Sequence, residues 1–345
     1  MDRVGEGARR MKQGLGIALW LAAFAAGAQA AEPPPVPARE AAIVDLDAMV
    51  VRGVQPGPGL WKVSKGEHVL WILGTVSPLP SDIEWKPDEV ESAIAQSQQV
   101  LLSPALAFDA DVGFFGRLAL APSALKAMKN EDGAELRDVL PPDLYARWQV
   151  QKQRYLGRDR GVERKRPMVA AGELYEAAAK KSGLGRKLLV GPVVERAAKA
   201  AGIKPTPTRL VLKIEDPRAA IKEFRAGGMD DVECFRSVLT AVERDLPTMV
   251  ERANAWAMGD IEALRRLPRE DPRGVCTRAL SQSGFARGRG YGDLNEKLAQ
   301  HWLALAEAAL QKNGSTFALL PISELLAPQG YLARLQERGY VVEAP

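Results

Sequence analysis

His68-Val69-Leu70-Trp71-Ile72-Leu73 runs directly into Gly74-Thr75-Val76-Ser77-Pro78-Leu79-Pro80. The first stretch is almost continuously apolar, which predicts a strand buried on both faces. Glycine and two prolines then force the chain out of regular structure. Upstream, Trp61-Lys62-Val63 and the turn Ser64-Lys65-Gly66-Glu67 supply the other arm of a hairpin. Downstream, Pro87 opens a helix at its first position, with Val90 and Ile94 on one face, and Val100-Leu101-Leu102 follows as a short buried strand.

The far end repeats this order. Thr316-Phe317-Ala318-Leu319-Leu320 reads as a buried strand, then come a loop, a helix around 329–338 and a last strand at Tyr340-Val341-Val342. Before it, Asp293 and Glu296 resemble a helix capping pair, and Leu294, Leu298, Trp302, Leu305 and Ala309 form one apolar stripe. The alanine-rich middle predicts helices over 143–155, 169–181, 193–201, 217–226, 231–246 and 247–258, with a strand at Arg209-Leu210-Val211-Leu212-Lys213. Strands clustered at both ends imply an α/β fold. Its expected form is one domain with a central mixed sheet, built from N- and C-terminal strand-helix halves and covered by a helical insert.

Composition sets the limits around this fold. The chain has 345 residues, 46% hydrophobic and 26% charged, which excludes a disordered chain and a disulfide-dense miniature scaffold. Its formal charge is +4, and loss of residues 1–30 would take four basic and two acidic groups with it, leaving +2. So small a charge gives no case for nucleic acid. Arg158, Arg160, Arg164, Lys165 and Arg166 are close together, either as a site for an acidic partner or as a solvated helix end or loop. Gly288-Arg289-Gly290-Tyr291-Gly292 lacks the strand and spacing of a phosphate-cradling motif and reads as a loop.

Arg9, Arg10 and Lys12 precede an apolar run over 15–28 that ends in Ala28-Gln29-Ala30. This is the pattern of a secretory signal peptide over 1–30, cleaved after Ala30; the alternative is an uncleaved anchor. The run is shorter than the roughly 20 residues of a spanning helix, so no membrane span is expected after cleavage. A proline-rich tether over 31–56 follows, and the folded domain is expected over 57–345. The expected location is outside the cytoplasm: periplasmic in a Gram-negative host, otherwise secreted. There, Cys234 and Cys276 either form a disulfide or remain two buried thiols.

The Trp61-Lys62-Val63 start, Gly74-Thr75-Val76-Ser77-Pro78-Leu79-Pro80, Glu215, Phe224, Trp302, Gly330 and Arg338-Gly339-Tyr340 together resemble the TraB/GumN family, relatives of the Tiki proteases. The resemblance runs from about Leu60 to Val342. It implies a secreted or membrane-linked α/β fold with two similar strand-helix halves, whose active members are metal-dependent peptide hydrolases.

At the polar positions this chain departs from the family pattern. Members carry Gly-Thr-Ile-His after the buried strand, and here the histidine position is Ser77. The glutamate ending the next strand is replaced by Ser103. In the C-terminal Gly-Ala-Gly-His-Leu motif, the first three positions become Pro321-Ile322-Ser323 and the histidine becomes Glu324; an Arg-Asn pair becomes Leu298-Ala299. A catalytic divalent metal takes about three protein ligands, and a neutral serine hydroxyl is a poor one. The two histidines, His68 and His301, share no ligand spacing with another donor.

The resemblance therefore implies a divalent metal whose ligands are missing, so no cofactor is expected. The leading expectation is a catalytically inactive, binding member of the family, with a protein or peptide as ligand. Two alternatives stand beside it. One is a metal-independent hydrolase using Ser77 as nucleophile and Glu324 as base, although no histidine base and no Gly-x-Ser-x-Gly elbow accompany them. The other is a purely structural envelope protein.

Overall fold

In the computed structural model, residues 53–80, 83–110, 112–185, 189–226, 231–267 and 272–345 are described. The expected signal peptide, its expected cleavage point and most of the expected tether lie outside them. The described residues all fall within one compact unit.

The buried stretch that opens the sequence reading becomes β2 (His68–Thr75). It pairs antiparallel with β1 (Leu60–Lys65) across the turn Gly66-Glu67. A third strand, β3 (Gln99–Leu101), and a fourth, β4 (Ala105–Ala110), follow α1 (Asp88–Ala95), which buries Val90 and Ile94 as expected. Pro87 caps that helix rather than occupying its first turn. Near the other end come β6 (Ser315–Pro321) and β7 (Val341–Glu343). The central sheet has the order β7-β1-β2-β6-β3. β6 lies parallel to β2 along its whole length and parallel to β3 on its other side, while β7 and β1 are antiparallel. The mixed sheet is thus closed by strands from both ends of the domain, and residues 316–320 of its inner strand are all buried.

β4 continues the line of β3 and pairs in parallel with β5 (Arg209–Ile214), forming a second, two-stranded sheet. Thr206 ties the two sheets together. Its N–H donates to Val100 O at 2.7 Å, and Leu102 N–H donates to Thr206 O at 3.1 Å.

The insert supplies α2 (Phe114–Ala127), α3 (Pro142–Tyr155), α4 (Pro167–Lys181), α5 (Val190–Ala200) and α6 (Pro217–Ala226). It continues with α7 (Asp231–Thr240), α8 (Leu246–Met258), α9 (Pro272–Ser281) and α10 (Gly284–Gly288). The single helix expected over 231–246 instead ends at Thr240 and passes through a π-helical turn at 241–245. The two cysteines form a disulfide between α7 and α9, with Cα atoms 4.7 Å apart.

The basic cluster over 158–166 is partly spent inside the molecule. Arg166 Nε donates to Asp231 Oδ2 at 2.6 Å, with both side chains nearly buried, and Lys165 pairs with Glu173. In the glycine-rich stretch, Gly288 ends α10 and the rest forms a turn held by Tyr291 Oη donating to Lys213 O at 2.9 Å.

The long helix α11 (Leu294–Lys312) buries Leu294, Trp302, Leu303, Ala306, Ala309 and Leu310. Leu298 and Leu305, expected on that stripe, are only half-buried, because the covered face turns toward Leu303 and Leu310. Asp293 stands at the N-cap without a side-chain cap bond, and Glu296 does not form the expected capping pair. Glu296 accepts from both terminal nitrogens of Arg334, at 2.9 and 2.8 Å, on α13 (Tyr331–Glu337), and from Gln300 at 2.7 Å.

The hydrogen bonds from Arg334 and then Gln300 hold the Glu296 carboxyl down at about 2. A carboxyl with a lowered folded pKa stabilises the fold fully above its unfolded value near 4.3 and loses that contribution as pH falls toward 2. The side chain is half-exposed, so the pair contributes under about 1 kcal/mol. In thermal melts, Glu296→Gln is expected to melt slightly below the wild type at pH 7 and together with it near pH 2.

Candidate functional site

Because β2, β6 and β3 are parallel neighbours, their carboxyl ends emerge at one end of the sheet, the place where open α/β sheets bind ligands. Thr75 is level with Pro321, and Leu101 with Ala318. Ser77 therefore follows the end of β2, Ser103 the end of β3, and Pro321 to Glu324 the end of β6. The positions singled out in sequence lie on three consecutive connections of that sheet end. Leu298 and Ala299 lie on α11, both half-buried, with Ala299 packed on the core.

The donors at this end are few. Ser77 is exposed and precedes Pro78 through a cis peptide bond, Ser103 is half-buried, and Glu324 is exposed in the single turn α12 (Ile322–Leu325). No hydrogen bond joins Ser77 to Glu324 among the described residues. Tyr331 stacks edge-on against Trp302 at 4.9 Å; burial, and then the negative charge of Glu324, raise its phenol well above the ordinary tyrosine value. His68 bonds through Nδ1 to Asn313 O at 2.8 Å, at the opposite end of β2, and His301 is half-buried on α11. Among the described residues no three His, Cys, Asp or Glu side chains come together as a metal site. Two neutral hydroxyls and one carboxylate do not fit a catalytic divalent metal, which takes imidazole and carboxylate donors.

The packing at this strand end is apolar. Gly74 ends the buried part of β2, and a β-carbon there would lie 2.4 Å from Ile322 Cδ1 and 3.0 Å from the Trp61 ring. Ile322, 5% exposed, is thus seated on the strand end against Trp61. Trp256 of α8 closes the same spot by donating Nε1–H to Gly74 O at 2.7 Å. Sequence reading singled out the position of Ile322 as a departure. Its packing on Gly74 depends on the parallel register of β2 and β6, which no local pattern reports.

The sequence also left residues 105–127 unassigned. They form β4 and α2, which with α6 line an open apolar cavity of about 580 Å³. The signal was present in Phe114-Phe115 and the apolar run after them, but that run has no polar face to mark a helix.

No curated protein and no solved structure shows a significant match to the chain. The model of the TraB/PrgY/gumN family, however, matches residues 59–344, from β1 through β7 and across both strand-helix halves, and the chain belongs to that family.

Proposed function

We propose that this protein is an exported member of the family that has lost its metal centre and acts by binding a protein or peptide. The observation that carries this reading is the composition of the sheet end. The family's ligand positions hold Ser77, Ser103 and Glu324, and Ile322 packs over Gly74 at the end of β2. Hydroxyls offer a metal little, and a buried isoleucine leaves a water-bound ion no room over Gly74. The disulfide between α7 and α9 supports a life outside the reducing cytoplasm, as does the signal-like segment over 1–30. Among the described residues no helix is long and apolar enough to cross a membrane.

The purified protein, assayed on a panel of peptides and esters with and without zinc, manganese or cobalt, is expected to show no turnover above background. Metal-dependent peptide cleavage would overturn the reading. Metal-independent turnover abolished by Ser77→Ala would replace it with a hydrolase using Ser77 and Glu324.

A further inference from the structure

The cavity behind β4 has an unusual lining. Phe108 of β4, Ile214 of β5, Ile221 and Phe224 of α6 and Phe285 of α10 make its apolar walls, and the inner side of α2 lines it from the other side. Among the described residues that line it, two are charged, Arg117 and Arg166, and both are cationic. Arg166 is already committed, through its bond to Asp231 and its guanidinium lying over the Phe224 ring at 5.0 Å. Arg117 is exposed on α2 and, among the described residues, joins no ion pair.

A helix that only covers a core shows water a polar face. α2 does not. Its inner side lines the cavity, while Phe114 and Phe115 on its outer side are 75% and 81% exposed, with Leu118 and Leu125 exposed beside them. The volume lies within the range of small-molecule sites, which are mostly apolar with few orienting polar groups. Among the described residues, the one uncommitted charge lining this apolar chamber is the cation of Arg117, an arrangement that matches one ligand chemistry: an acyl chain ending in an anion.

We propose that this cavity binds a single-chain anionic amphiphile, its alkyl chain among Phe108, Ile214, Ile221 and Phe285 and its carboxylate or phosphate on Arg117. The site is separate from the sheet end and does not depend on how that end functions. The anion belongs either to a free fatty acid or to a lysophospholipid headgroup.

The test is displacement of 1-anilinonaphthalene-8-sulfonate from the purified protein by octanoate, decanoate, laurate, dodecanol, dodecyltrimethylammonium and lauroyl lysophosphatidylglycerol. Affinity is expected to rise about ten-fold for each two carbons added, as burial of methylenes requires. Laurate is expected to bind more tightly than dodecanol, and the cationic amphiphile more weakly than either. Arg117→Gln, at an exposed position, is expected to weaken laurate several-fold and leave dodecanol unchanged. Ala124→Trp, which fills the chamber from α2, is expected to abolish binding of all of them. A preference for lysophosphatidylglycerol over laurate identifies a phospholipid headgroup and the reverse a free acid; both support the site. Equal binding of anionic and cationic amphiphiles, or laurate binding unchanged in Arg117→Gln, overturns the proposal. So does a dimer in sedimentation that Leu118→Glu disrupts while no laurate binds, since a second copy would then cover α2.

Discussion

Replacing Gly330 by alanine is expected to destabilise the protein by about 3 kcal/mol or more, enough to lower its melting temperature by roughly 6 °C or more. Gly330 stands at the N-cap of α13 with an extended backbone, so its dihedral angles do not demand glycine. The demand is steric. A β-carbon there would lie 1.9 Å from the carbonyl oxygen of Glu324 and 3.0 Å from that of Ala327, far inside contact distance. Both obstacles are backbone, and no side chain can swing aside to make room. The substitution must push α12 away from α13, and α12 is the turn that seats Ile322 on Gly74. Gly172, exposed within α4 with nothing near its missing β-carbon, gives the opposite sign. There alanine is expected to stabilise by about 0.5–1 kcal/mol, the helix-propensity difference alone. Urea titrations of both variants check the pair; equal responses would mean that the close approach of α12 to Gly330 is absent in solution.

Rebuilding the donors should have a comparable effect on a different observable. Ser77→His, Ser103→Glu and Glu324→His place two imidazoles and a carboxylate on the three connections at the sheet end. Together they are expected to tighten zinc binding by at least about a hundred-fold over the wild type, since each restored ligand adds more than a supporting contact does. Ile322 resists that gain because it occupies the space over Gly74. Adding Ile322→Ala is therefore expected to strengthen zinc binding further, while costing about 2–5 kcal/mol of stability from the buried position. Isothermal titration of the two variants measures both steps. No gain in either would mean that the side chains of residues 77, 103 and 324 do not converge.

How much of this was open to sequence reading depended on whether the determining forces were local. The hairpin at 60–75 and the strands at 99–101 and 315–321 are short apolar runs punctuated by glycine and proline, and runs of that kind report burial directly. The mixed sheet with a helical cover followed from where those runs lie. Residues 105–110 escaped because alanine carries little strand propensity, and β4 exists through its pairing with β5, a hundred residues away. Phe114–Ala127 escaped because it is apolar on all sides and shows no period. Glu296 was misplaced because an arginine 38 residues downstream outcompetes a cap within the same helix turn.

The site divides in the same way. That Ser77, Ser103 and Glu324 follow strands ending side by side could be anticipated from the two-halved pattern. The packing of Ile322, Trp61 and Trp256 around Gly74 could not, because those side chains meet through register and through contacts spanning most of the chain.

Equilibrium dialysis of the purified protein against micromolar zinc, manganese and cobalt, read by elemental analysis, addresses the proposed loss of the metal centre most directly. The expected result is far less than one ion per chain, unchanged in Glu324→Gln. One firmly held ion per chain, released by Glu324→Gln, would contradict it.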